Sequence, residues 1–86
     1  MRYTVLIRRQ AQKKLRGLPA GERLRLAERI DQLGRNPDDA TLDTKRLVGS
    51  PLHRLRVGDW RIIYDRQDAV RVIAIEKIKT RGDAYK

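Results

Sequence analysis

Arg54, Arg56 and Arg61 stand on either side of a Gly58-Asp59 pair, and Lys77 and Lys79 follow in the next apolar run. A guanidinium keeps its proton at any ordinary pH. Such a cluster can therefore hold a phosphate and stabilise charge that builds on it, but it makes a poor general base. The nearby groups able to move a proton are His53, Glu76 and Lys79, and the sequence leaves the choice among them open. The chain has no cysteine and one histidine. These counts exclude a disulfide framework, a thiol nucleophile and a thiolate zinc site, and leave any metal centre to rest mainly on carboxylates. The expected chemistry uses neither a metal nor another cofactor.

The Gly-Asp pair sets a register for the residues around it. With Gly58 and Asp59 at the centre of a tight hairpin turn, Val57 faces Trp60, Arg56 faces Arg61, Leu55 faces Ile62, Arg54 faces Ile63 and His53 faces Tyr64. Alternation then puts Leu55, Val57, Trp60, Ile62 and Tyr64 on one face and Arg54, Arg56, Arg61 and Ile63 on the other. Like charges directly opposite each other cost about 0.2 to 1 kcal/mol. An Arg56/Arg61 pair therefore points to a use beyond solubility. On the apolar face, His53 reads as a structural histidine, Trp60 as core packing, and Tyr3 and Tyr64 as core or rim. Glu76 reads equally well as an ion-pair partner of Lys77 or Lys79. Lys45 and Arg46 add cations from the preceding segment, and Lys77 and Lys79 add more beyond it. Tyr85, beside Lys86, is the aromatic placed to stack on a base.

The whole chain shares this bias. Among 86 residues, 21 are Lys or Arg and 11 are Asp or Glu, a formal net charge of +10. That balance is the electrostatic footprint of a nucleic-acid binder, or of a protein whose partner is acidic. One acidic partner masking one RNA-binding surface satisfies both. The N-terminal apolar run is too short for a signal-peptide core, and no stretch approaches the roughly 18 apolar residues of a membrane helix. The expectation is a soluble, cytoplasmic, single domain over residues 1–86.

The elements that must carry these residues read as follows. Residues 3–7 are β-branched and aromatic, a first strand. Ala11, Leu15 and Leu18 recur at helical spacing, and Gly17 and Pro19 close that helix. A second helix starts near Pro19 and presents Leu24, Ala27, Ile30 and Leu33, with Leu26 on the flank, before Gly34 and Asn36-Pro37 stop it. Residues 38–51 have a loop composition. Strands follow at 52–57, 60–65 and 70–78, joined by tight turns into an antiparallel meander. The fold class is α+β: an N-terminal strand, an αα-hairpin and a three-stranded meander forming one sheet packed by the helices.

The segment Leu55-Arg56-Val57-Gly58-Asp59-Trp60-Arg61-Ile62-Ile63-Tyr64 resembles the signature of the RelE/ParE toxin superfamily. An opening strand, an αα-hairpin, an Asn-Pro after the second helix, a Leu-Val-Gly segment and a C-terminal Arg81…Tyr85 occur in the same order, so the resemblance spans essentially the whole chain. It implies a RelE-type toxin: a metal-independent endoribonuclease that cuts mRNA in the A site of the 70S ribosome, with the RNA 2′-hydroxyl as nucleophile. It assigns Arg54 and Arg56 to the scissile phosphate, Arg61 to the transition state, and Arg81 and Tyr85 to the C-terminal Arg and the base-stacking Tyr. It also implies a cognate acidic antitoxin. The alternatives on the same fold are a ParE-like inhibitor of DNA gyrase and a catalytically idle nucleic-acid binder. Two departures bear on the chemistry: His53 stands where the family often has Tyr, and Thr80 where relatives that use a histidine carry it.

Overall fold

Leu26, Ile30 and Leu33 are spaced four and three residues apart, which keeps them on one side of a helix, and all three are buried. Leu24 and Leu33 are nine residues apart, two and a half turns, and so lie on opposite sides. This is why the core stripe expected at Leu24 and Ala27 is not the one used: Leu24 is 61% exposed, Ala27 is also exposed, and the flanking Leu26 is fully buried. The computed structural model describes residues 2–80, and Arg81 and Tyr85 lie outside the described residues.

The elements run β1 (Thr4–Ile7), α1 (Arg9–Arg16), α2 (Ala20–Arg35), β2 (Asp43–Arg46), β3 (His53–Val57), β4 (Trp60–Gln67) and β5 (Val72–Thr80). The strands form one sheet in the order β1-β5-β4-β3-β2. β1 pairs parallel to β5, and every other pairing is antiparallel. The αα-hairpin is the crossover that returns the chain to one face of the sheet. There Ala11 of α1 and Leu26, Ile30 and Leu33 of α2 cluster with Leu55, Val57, Ile62, Tyr64, Ile73, Ile75 and Ile78.

The sheet has five strands, two beyond the meander itself. β1 is the expected N-terminal strand, but β2 falls in the stretch whose composition reads as loop. Its sequence, Asp-Thr-Lys-Arg, has no apolar alternation because β2 is an edge strand, where charge guards against further pairing. Helix α2 stops at the expected Asn36-Pro37, with Asn36 as its cap, but Gly34 lies inside the helix rather than ending it. Its absence of a side chain admits β1: a Cβ there would sit 2.6 Å from Val5 Cγ2, and the Tyr3 N–H donates to the Gly34 carbonyl at 2.7 Å.

The β4–β5 register shifts between Ile63 and Tyr64, leaving Glu76 as the extra residue of a β-bulge. Before it Ile73 and Ile75 face the core; after it Ile78 does. A strict two-residue alternation would carry Lys77 and Lys79 into that core. The bulge turns them to the opposite face. No helix among the described residues is long and apolar enough to cross a membrane.

Candidate functional site

The face of the sheet away from the helices carries two cross-strand rows. One runs Asp43, Arg56, Arg61, Lys79; the other runs Lys45, Arg54, Ile63, Lys77. The hairpin register is the one the Gly58-Asp59 pair predicts, from Val57 opposite Trp60 to His53 opposite Tyr64. Gly58 has φ +60° while Asp59 stays at negative φ, the pattern of a type II′ turn, where glycine takes the first central position.

These rows line a groove of about 560 Å³. Its cations are Lys45, Arg46, Arg54, Arg56, Arg61, Lys77 and Lys79, and its apolar floor is Leu47, Leu52 and Ile63. Val48 is 97% exposed at the groove's margin. Sequence reasoning missed this apolar floor because its members come from a loop and from strand positions that share no local pattern. Arg46 pairs with His53 and so starts on the other face, but β2 is the edge, and the side chain reaches the groove around it.

Counter-charges are sparse here. Arg54 lies 3.7 Å from Asp43, and Glu76 is held by Arg8 at 3.2 Å. Among the described residues, Arg56, Arg61, Lys45, Lys77 and Lys79 make no ion pair within 4.0 Å. The field of the groove is therefore left unneutralised, ready for an anion.

Arg61 differs from its neighbours in being buried, with 6% exposure. Its Nη1 donates to the Gly58 and Trp60 carbonyls, both at 3.2 Å, and Arg56 Nε donates to the same Gly58 carbonyl at 3.5 Å. The turn thus fixes two guanidiniums side by side. The like-charge cost falls on a pair held rigid, which is what electrostatic stabilisation of a transient anion requires.

Of the proton-transfer candidates, Lys79 and Glu76 line the groove and His53 does not. His53 stacks on Tyr64, with ring centroids 5.4 Å apart and planes 19° apart, and its Nδ1 is buried without a hydrogen-bond partner. Burial, and then the charges of Arg66 and Arg46, hold its imidazole below the usual histidine range. It lies on the apolar face, where the register puts it. Trp60 is half-buried against the core, with Lys14 Nζ 5.8 Å from its ring centroid.

Residues 5–85 match the family described as ParE toxin of type II toxin-antitoxin system, parDE. RelE1, a toxin candidate of Methanocaldococcus jannaschii, is 36% identical over the full chain and 98% of its own length. The toxin fold in the archaeal RelE–RelB complex of Pyrococcus horikoshii is 37% identical, with a TM-score of 0.82 covering 95% of this chain and 98% of that one. In the RelBE2 toxin–antitoxin complex of Mycobacterium tuberculosis, a chain with 23% identity shares the fold, with a TM-score of 0.78 over 94% of this chain and 100% of that one. The chain belongs to the RelE/ParE superfamily and is a RelE-like toxin of a type II toxin–antitoxin system.

Proposed function

We propose that the chain binds mRNA across the cationic groove and cuts it without metal in the ribosomal A site. The observation that carries this reading is Arg61, buried and clamped by two carbonyls between Arg56 and Lys79 in their cross-strand row. In the proposed step the RNA 2′-oxygen bonds to the adjacent phosphorus, and the bond from phosphorus to the 5′-oxygen breaks. The products are a 2′,3′-cyclic phosphate and a 5′-hydroxyl. The 2′-hydroxyl loses a proton and the leaving 5′-oxygen gains one. Charge on the phosphorane between these events is met by Arg61, Arg56 and Arg54. Glu76 is the carboxylate that lines the groove, and in this reading it takes the 2′ proton. The apolar floor receives a base. Arg81 and Tyr85 keep the roles of phosphate contact and base stacking that the family resemblance implies.

RelE relatives occur in complexes with RelB antitoxins. For this chain, with its net charge of +10, the fitting partner is an acidic antitoxin segment that orders as it covers the groove. The match to the ParE family favours a second reading, inhibition of DNA gyrase by the same fold. Inducible expression separates the two when mRNA 5′ ends and plasmid supercoiling are followed together. Codon-phased mRNA ends support the nuclease; intact mRNA with gyrase-linked DNA breaks establishes the second reading instead.

A further inference from the structure

We infer that Arg25 and Arg29 of α2, with Arg56 of the hairpin, form a second phosphate subsite beside the groove, one that holds an RNA phosphodiester next to the scissile one. The inference rests on the RNA reading of the groove and extends it around the hairpin tip.

The subsite is a separate cavity of about 120 Å³, whose lining includes Arg25, Arg29, Thr41, Asp43, Arg56 and Gly58. With liquid water at about 30 Å³ per molecule, this is room for roughly four waters, enough for a phosphate group. Three arginines and one acidic residue border the cavity, and that acid, Asp43, lies 3.7 Å from Arg54 on the groove side. Arg29 uses Nη1 on Gln32 at 3.2 Å, and Arg25 makes no ion pair among the described residues.

The Arg25 guanidinium reaches the hairpin tip: a Cβ on Gly58 would stand 2.9 Å from Arg25 Nη2 and 3.3 Å from Cζ, a contact that the end of this flexible side chain can relieve by moving, while the positive φ is what calls for glycine. On its other side the Gly58 carbonyl gathers Arg56 and Arg61. One turn residue therefore joins the two cationic sites. Arg56 lines both, so one polyanionic strand passing over Arg61 meets Arg25 and Arg29 as it leaves the hairpin tip. That continuity favours an RNA backbone over an isolated acidic side chain.

The test is the salt dependence of equilibrium binding to a short unstructured RNA of fixed sequence, for the full chain and for the Arg25→Gln/Arg29→Gln double variant. Both side chains are exposed on a helix, and circular dichroism confirms that the double variant is folded. Each lost single-strand phosphate contact flattens the slope of log affinity against log salt by about 0.7, so a flattening of about 0.7 is expected for the one phosphodiester held there, with affinity at low salt down by about tenfold. An Arg25→Lys/Arg29→Lys variant keeps the slope but loses part of the affinity, because two forks become point charges. If the unmodified chain binds RNA and the Gln variant matches it in slope and affinity, the subsite is wrong and the groove reading stands. The assignment to RNA is likewise overturned if the Gln variant keeps RNA affinity and loses only an acidic peptide. If the unmodified chain shows no salt-dependent RNA binding, the groove and the subsite fall together.

Discussion

Arg61 and Arg66 sit on the same strand, and the difference between them separates chemistry from architecture. Arg66 spends its guanidinium on carboxylates: Nη1 and Nη2 bond Asp38 at 2.7 and 3.0 Å, and Nε bonds Asp68 at 2.7 Å. Tyr3 donates its hydroxyl to the same Asp68 at 2.9 Å. These bonds tie β4, the loop before β2 and the segment leading into β1 together, and they raise the Arg66 pKa further while lowering those of Asp38 and Asp68. Arg61 is more deeply buried, yet it bonds two carbonyls, makes no ion pair among the described residues, and has Arg56 and Lys79 as its cross-strand neighbours. Arg66 neutralises acids and ties the fold together, whereas Arg61 is left without a carboxylate partner among the described residues, as the proposed role in cleavage requires.

The sharpest way to break this comparison is to truncate Arg61. Removing a fixed donor to a developing oxyanion costs about 100- to 1,000-fold in rate, so Arg61→Ala should lose at least that much cleavage. Its stability should fall by only about 1 to 2 kcal/mol, for two carbonyls left to find water; single-turnover rates and urea melts give both numbers. Arg66→Ala should match it in stability and differ in cleavage. Its partners are more than half exposed, so after discounting for solvent screening the loss of stability is about 1 to 2 kcal/mol. Cleavage per folded molecule should be unchanged.

A third contrast uses pH. His53, on the Arg66 side, has a folded pKa below its unfolded value of about 6.5. The unfolded chain then takes the proton more readily, so stability is intact above that value and declines as the pH falls below it. Denaturant midpoints at pH 7.5 and 5.5 should differ in the parent and converge in His53→Phe, where the stacked position keeps a ring. The Asp38 and Asp68 contribution has the same sign and a lower window: it is present above about 3.8 and lost as the pH falls through their lowered folded values. The smallest effect concerns salt without RNA. Raising ionic strength from about 50 to 200 mM should leave the melting midpoint nearly still, because the Arg66 bonds are short and local, while RNA affinity falls steeply by about 0.7 log units of slope per phosphate held.

How much of this is legible in the sequence varies by element. The hairpin register follows from one Gly-Asp pair, and with it the partition of Arg56 and Arg61 from Leu55, Val57, Ile62 and Tyr64. β2 is not legible, because an edge strand of charged residues carries no periodic signal. The Glu76 bulge is legible only in hindsight, when Ile73, Ile75 and Ile78 show it as a break in parity. Lys77 and Lys79 are plain as cations in the sequence, but their turn toward the groove depends on that bulge. Arg25 and Arg29 look like an ordinary solvated helix face, since the approach of α2 to the hairpin tip is a tertiary fact. Arg81 and Tyr85 lie outside the described residues and rest on the family resemblance.

The most direct test of the central claim is cleavage of an mRNA on purified 70S ribosomes programmed with a single A-site codon, using the normal message and one with a 2′-deoxy nucleotide at the cleaved position. One cut with a 5′-hydroxyl end is expected on the normal message and none on the deoxy message. Equal cutting of both messages, or an intact normal message, would contradict the claim.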